Sequence, residues 1–266
     1  MIRLFCLTGG WSNDLISFVT VDKKHKKKIY KNKLRKIVEN LKENGYFVMD
    51  KFISREEAEK IEKYILKQTF EINKNDQNIL KIKDKKFNPQ KPEGVIYQLP
   101  TKTIVKNLQI NKIINSSYLK NIASSYFGSE ALLDHFQVSI VTNYKKKADK
   151  TSAQYYHFDL DKPKWLKFFI YLNDVSLDNG PHSFIAKTHK NLGIPISIRS
   201  KGYTRIEDKE VKKYFNEETI FTNNKGTCII EDTRGLHKGF NCKKNYRCLL
   251  NIQYSNSHFG YKNEPI

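Results

Sequence analysis

The chain has 266 residues, enough for one large domain with a substantial buried core. A hydrophobic content of 39%, with 16 Phe and 15 Tyr, excludes wholesale disorder, and no apolar run approaches the roughly 18 residues of a membrane-spanning helix. The net charge of +20 leaves nucleic acid, an anionic membrane surface and acidic small molecules open as partners, beside the plain reading of solvated surface lysines in an Asn- and Ile-rich sequence.

The first residues, "MIRLFCLTGGWSNDLISFV", contain an Arg and several apolar side chains, but Gly9, Gly10, Asn13 and Asp14 interrupt any signal-peptide core. The expectation is an unexported, cytoplasmic protein. Cys6, Cys228, Cys242 and Cys248 form no C-x-x-C pair, and "GTCII" and "RCLL" place two of them in apolar runs, as suits a reducing compartment.

Residues 32–44 carry Leu34, Ile37, Val38 and Leu41 on one helical face, with Gly45 as a stop. "YFVMDKFI" alternates like a strand, and Ser54 with Glu57 reads as a capping box opening a second helix on which Ala58, Ile61 and Ile65 share a face. Residues 73–94 are polar and lysine-rich with two prolines, which predicts a mobile loop, and 112–128 reads as a helix ending near Gly128. From about 131 the pattern turns to short aromatic and β-branched strands: "FQVSIVTNY", "QYYHFDL", "WLKFFIYLNDV", "HSFIAKTH", "GTCIIED" and "YRCLLNIQYS". The interval 190–225, with a charged helical segment near 206–215, breaks that rhythm and reads as an insertion, a mobile lid over one barrel mouth. The expected architecture is a single domain, 1–266. A mostly helical part with one strand (1–128) precedes a closed or sandwiched antiparallel β core (131–255) with helices outside.

Within "QYYHFDLD", His157 and Asp159 stand two residues apart, so in a strand both side chains point to one face. About 7 × 28/266, or roughly 0.7, such His-x-acid pairs arise by chance from 7 His and 28 acidic residues, so the pair alone is equally a hydrogen-bonded polar pair. A third ligand would complete the two-His, one-carboxylate facial triad that suits iron(II) with open positions. The candidates are His135, His182, His189, His237 and His258; His237 stands out because it follows the strand "GTCIIED" and the turn Thr233-Arg234-Gly235. Arg247 opens the otherwise apolar strand "YRCLLNIQYS". A guanidinium aimed into a barrel needs an anion, either a bound carboxylate or a structural partner such as Glu231 or Asp232.

His157-x-Asp159, His237 and Arg247, together with "ENGYFVMDKFISREEAEKI", "YLNDVSLDNGPHSFIAKTHK" and "GTCIIEDTRGLHKG", resemble the phytanoyl-CoA dioxygenase-like family of iron(II)/2-oxoglutarate oxygenases over most of residues 40–255. The resemblance implies a double-stranded β-helix (jelly-roll, cupin-like) core. It implies iron(II) on His157, Asp159 and His237, 2-oxoglutarate as cosubstrate and O2 as oxidant, with release of succinate and CO2. By the same resemblance, Arg247 would hold the C5 carboxylate of 2-oxoglutarate, with Phe169 and Gln154 beside it. The carboxylate of Asp159, which family halogenases replace with a small residue, favours hydroxylation. Two departures stand out: Gly239 replaces a small hydroxyl residue that some relatives place near the cosubstrate, and Ala186 and Thr188 stand where a Gly-Ser pair is common. The resulting expectation is a hydroxylase of a small organic molecule. The other classes kept open are a non-catalytic β-helix binding module and an oxygenase acting on nucleic acid.

Overall fold

The computed structural model describes residue 5 and residues 7–20, 32–73, 82–144, 147–148, 153–160, 162–202 and 204–257. Cys6, His258 and much of the lysine runs near 23–31 and 145–150 therefore lie outside the described residues. Two antiparallel sheets face each other. The larger holds β1 (Tyr46–Met49), β2 (Thr69–Asn73), β3 (Ile82–Lys86), β4 (Ile96–Gln98), β5 (Leu132–Thr142), β6 (Trp165–Tyr171), β9 (Cys228–Glu231) and β11 (Tyr246–Ser255), in the order β1-β9-β6-β11-β5-β4-β2-β3. The smaller holds β7 (His182–Phe184), β8 (Thr219–Phe221) and β10 (His237–Gly239), in the order β10-β7-β8. This is the expected double-stranded β-helix (jelly-roll, cupin-like) core, with helices flanking it.

The period-2 alternation of the long strands decides which side does what. On β11, Cys248, Leu250 and Ile252 face a core shared with Phe136, Val138 and Ile140 of β5 and Leu166, Phe168 and Ile170 of β6. That core is closed by Leu34, Ile37 and Leu41 of the helix Asn32–Asn44, by Ala58, Ile61 and Ile65 of the helix Arg55–Leu66, and by Leu119, Ile122 and Ala123 of the helix Ser117–Phe127. The alternate residues, Arg247, Leu249 and Asn251 on β11 with Gln137, Ser139 and Val141 on β5, face the space between the sheets. One face of the large sheet is thus sealed against helices, which leaves the other, more polar face free to build a site.

The local signals for helices act where expected. The Ser54 side chain accepts from the Glu57 N–H and opens the helix Arg55–Leu66, and Gly128, at φ 73°, ends the helix Ser117–Phe127 in the left-handed conformation that costs glycine nothing. Upstream of it, the expected helix over 112–128 is two: Leu108–Ile114 and Ser117–Phe127 are separated because Ser116 caps the second, accepting from the Leu119 N–H.

Three expectations are corrected. Among the described residues, 1–128 hold four strands rather than one, because β2, β3 and β4 extend the large sheet beyond β5. The stretch 73–94 is accordingly not one loop: Ile82–Lys86 pairs with Thr69–Asn73, and its lysines sit on an edge strand, where charge discourages further pairing. The insertion 190–225 is built into the wall rather than laid over it. Ile194, Ile198, Ile206 and Val211 are buried with Phe158 and Leu236, and Ile206 exchanges backbone hydrogen bonds with Tyr156 at 2.8 and 3.1 Å.

The central position of β11, between β5 and β6, makes its core face the most sensitive part of the sheet. Leu250→Ala, at a residue with 0% exposure, should lower stability by about 2–5 kcal/mol. Urea denaturation at neutral pH measures this as a lower midpoint with an unchanged slope.

Candidate metal centre and cosubstrate cavity

His157 and His237 are joined by an isolated antiparallel bridge: each backbone N–H donates to the other's carbonyl at 3.0 Å. "QYYHFDL" is therefore no continuous strand, as its pattern had suggested, but two single bridges, Tyr156 to Ile206 and His157 to His237. Asp159 is held one step on, where its N–H donates to the Thr233 carbonyl at 2.8 Å. The two imidazole rings lie 4.2 Å apart between centroids. Asp159 Oδ2 lies 3.6 Å from His237 Nε2, and Asp159 Oδ1 lies 3.9 Å from His157 Nε2. One donor atom from each of the three residues falls within 4.8 Å of the others, and all three are buried.

The unused ring nitrogens explain the orientation. His157 Nδ1 lies 2.9 Å from the Tyr155 carbonyl and His237 Nδ1 lies 2.9 Å from the Gly235 carbonyl. A carbonyl only accepts, so each ring carries its proton on Nδ1 and presents the Nε2 lone pair toward Asp159. Burial, reinforced by the neighbouring His237, pushes His157 well below the ordinary imidazole range, and burial lowers His237 as well. Burial alone would raise Asp159, but the Lys167 ammonium and the two histidines overcome it and hold the carboxyl well below the usual carboxylate range. Lys167 Nζ donates to Asp159 Oδ2 at 2.6 Å. Two neutral imidazoles and one carboxylate, already in ligating form at neutral pH, are the donor set that fits iron(II) and leaves coordination positions open.

Beside the triad, Phe169, Tyr171, His182, Gly239 and Arg247 line a cavity of about 170 Å³. Arg247, 6% exposed, donates from Nη1 to the Gly180 carbonyl, and its Nε has no partner. Among the described residues no carboxylate pairs with it. Of the two structural partners open to it, Asp232 is taken by Arg234, with Arg234 Nε donating to Oδ1 at 2.9 Å, and Glu231 by His182, at 2.7 Å. A Cβ on Gly239 would stand 3.1 Å from Arg247 Nη2, so the absent side chain at 239 is what leaves the guanidinium its room. The ring of Phe169 packs 4.6 Å from that of His182. Gln154 is not brought to this cavity. It lines a separate one of about 500 Å³ with Tyr155, Lys238 and Phe240.

Sequence reasoning passed over Lys167, and it named Glu231 only as a possible partner of Arg247 and His182 only as a candidate third ligand. Lys167 was the findable one, a single charge in "WLKFFIYL" on the same strand face as Phe169 and Tyr171. Burial lowers His182 to about 3 and raises Glu231 to about 8, so at neutral pH they meet as a neutral imidazole and a protonated carboxyl. His189 is structural in placement, its Nε2 3.2 Å from the Lys42 carbonyl, and His135 is exposed on β5.

Residues 41–243 match the model of the phytanoyl-CoA dioxygenase family (PhyH), and the chain belongs to that family. It is an enzyme family dependent on iron and 2-oxoglutarate, and these with O2 are the cofactors the donor set above fits. No curated protein sequence matches the chain. Among solved structures, it is similar in fold to the epimerase SnoN in complex with Fe3+, alpha ketoglutarate and nogalamycin RO (12% identity, 84% of this chain and 83% of that one, TM-score 0.59). It is also similar to EctD from S. alaskensis in its apoform (16% identity, 87% and 80%, TM-score 0.57). A third likeness is to HygX from Streptomyces hygroscopicus with nickel and 2-oxoglutarate bound (13% identity, 83% and 86%, TM-score 0.54). Among the described residues no helix is long and apolar enough to cross a membrane.

The depressed histidines and carboxyl fix how metal binding should respond to pH. Ordinary imidazoles, with pKa near 6.5, would each release on the order of half a proton or more on binding a divalent ion at pH 6. Here the ligands are already deprotonated, so cobalt(II) binding at pH 6 should release far less than one proton in total. Affinity should stay nearly flat from about pH 6 to 8, and calorimetry in buffers of different ionisation enthalpy measures both.

Proposed function

We propose that the protein hydroxylates a small organic molecule, consuming O2 and 2-oxoglutarate and releasing succinate and CO2, with His157, Asp159 and His237 as the iron ligands. The observation that carries this reading is the convergence of the three buried donors beside a cavity that ends in an arginine with no carboxylate partner. The balance is simple: one oxygen atom of O2 enters the substrate as a hydroxyl, the other enters succinate, and the C1 carboxyl of the 2-oxo acid leaves as CO2. Iron held there would supply the oxygen activation that decarboxylation drives.

The chain's own residues do the rest. Arg247 would hold the C5 carboxylate of 2-oxoglutarate through its planar fork, in a cavity also lined by Phe169 and Tyr171 where the buried guanidinium makes the contact away from water. Lys167 engages Asp159 Oδ2 and so fixes the orientation of the only anionic ligand. Its ammonium and the guanidinium of Arg205 bring positive charge to the site. Arg205 precedes the bridge of Ile206 to Tyr156 and so stands across from His157, whose proton affinity its charge lowers. These charges favour an acidic substrate. The three described cysteines are free and buried, in keeping with a reducing cytosol.

Asp159→Ala should abolish coupled turnover while leaving the fold intact, since the residue sits in the site and not in the sealed core. Succinate release, far-UV circular dichroism and product mass (one added oxygen atom) read this together. Arg247→Ala should raise the 2-oxoglutarate requirement about 30- to 1,000-fold, from roughly 2–4 kcal/mol for a sheltered charge-assisted contact, with metal binding retained. Arg247→Lys should recover part of that loss because it keeps the charge without the fork. Unchanged 2-oxoglutarate dependence in Arg247→Ala would place the anchor elsewhere.

A further inference from the structure

The helix Trp11–Thr20 is mounted on the barrel with its polar side inward. Asn13 and Ser17, one turn apart, are 1% and 5% exposed, and Asn256 Nδ2 donates to Ser17 Oγ at 2.6 Å. Asp14 accepts from Asn191 Nδ2 at 2.7 Å and lies 3.1 Å from Lys164 Nζ. Just before the helix, Gly9 turns the chain at φ 64°, where a Cβ would stand 2.3 Å from Arg199 Nη1, and its carbonyl accepts from the Leu192 N–H at 2.8 Å. Phe5 is buried, with its ring 5.5 Å from that of Phe158. These contacts settle the rotation of the helix about its axis. Its large apolar side chains, Trp11, Leu15, Phe18 and Val19, at spacings of four, three and one, then point outward with 61%, 65%, 68% and 70% exposure.

A helix that buries asparagine and serine and exposes tryptophan and phenylalanine inverts the usual arrangement of a surface helix. We propose that this outward face is a docking surface for an anionic phospholipid membrane, on which the protein sits peripherally. Charge selects the occupant. The chain carries +20, and in the sequence the helix is followed by residues 23–36, "KKHKKKIYKNKLRK", with nine Lys or Arg and no carboxylate. An apolar helix face with a tryptophan, joined to a polybasic stretch, is the two-signal combination that gives stable binding to an anionic interface, where either signal alone is weak. A second copy of this chain fits less well. Four side chains offer well under the roughly 800 Å² per partner of a stable protein–protein interface, and two copies of a chain with net charge +20 repel. The surface is separate from the metal centre, so its test does not depend on the proposed reaction.

The test uses the full chain with two vesicle types, pure phosphatidylcholine and phosphatidylcholine with about one-third phosphatidylserine. Co-sedimentation is expected with the second at low ionic strength, little with the first, and loss as salt is raised. The chain has two tryptophans, and the other, Trp165, is fully buried and bonded to Thr233, so a blue shift on vesicle addition reports Trp11. The double variant Trp11→Ser, Phe18→Ser should partition about tenfold less or weaker still, with an unchanged circular dichroism spectrum and melting temperature. Three results would overturn the proposal: no co-sedimentation with either vesicle, a double variant that binds as well as the wild type, or a lipid-free dimer by light scattering that the double variant abolishes.

Discussion

Two backbone hydrogen bonds between His157 and His237 carry the arrangement of the whole site. They join residues eighty positions apart, from segments that otherwise belong to different parts of the barrel, and set their rings side by side. Each ring is then locked by a carbonyl only two residues before it, so the orientation of both ligands is written into local backbone geometry rather than into long side-chain networks. Asp159 is placed by the same stretch of chain, and Thr233, four residues before His237, supplies the carbonyl that holds it. Preorganisation of this kind keeps three donors converged before any ion arrives, at a place where burial forbids the histidines their charge.

Charge inside the barrel follows from that constraint. A buried carboxylate needs a counter-charge, and Lys167 provides it at 2.6 Å. A buried Glu231 has no comparable cation and keeps its proton against His182. Among the described residues Arg247 pairs with no carboxylate: its guanidinium is 6% exposed, with an unpartnered Nε and a cavity in front of it. An uncompensated buried charge is costly, so its presence at the cavity end reads as a standing requirement for an anionic ligand.

Much of this was legible in the sequence because the long strands are written in strict alternation. "YRCLLNIQYS" became β11 over Tyr246–Ser255, with Arg247 on the face opposite Cys248, Leu250 and Ile252. The convergence of His157, Asp159 and His237 rested on a spacing, a turn and the family resemblance, and the structure brings the three together. The edge strand β3 was not legible, since a lysine-rich strand with one solvated face lacks the apolar alternation that marks a strand. Nor was the packing of Ile206 and Val211, because four-residue helices and single bridges leave too few positions for any period to show. Gln154 misled for a related reason. Next to an isolated bridge, the two-residue period does not extend, and its side chain turns to the neighbouring cavity.

If one centre holds iron through two histidines and an aspartate, a 2-oxo acid should chelate there beside Arg247. Anaerobic addition of iron(II) and then 2-oxoglutarate tests it directly, because a 2-oxo acid chelated to iron(II) produces a visible metal-to-ligand charge-transfer band that neither component shows alone. The band should saturate at one equivalent of iron in the wild type and be missing in His237→Ala. A wild-type protein that binds iron yet shows no band with saturating 2-oxoglutarate would contradict the account.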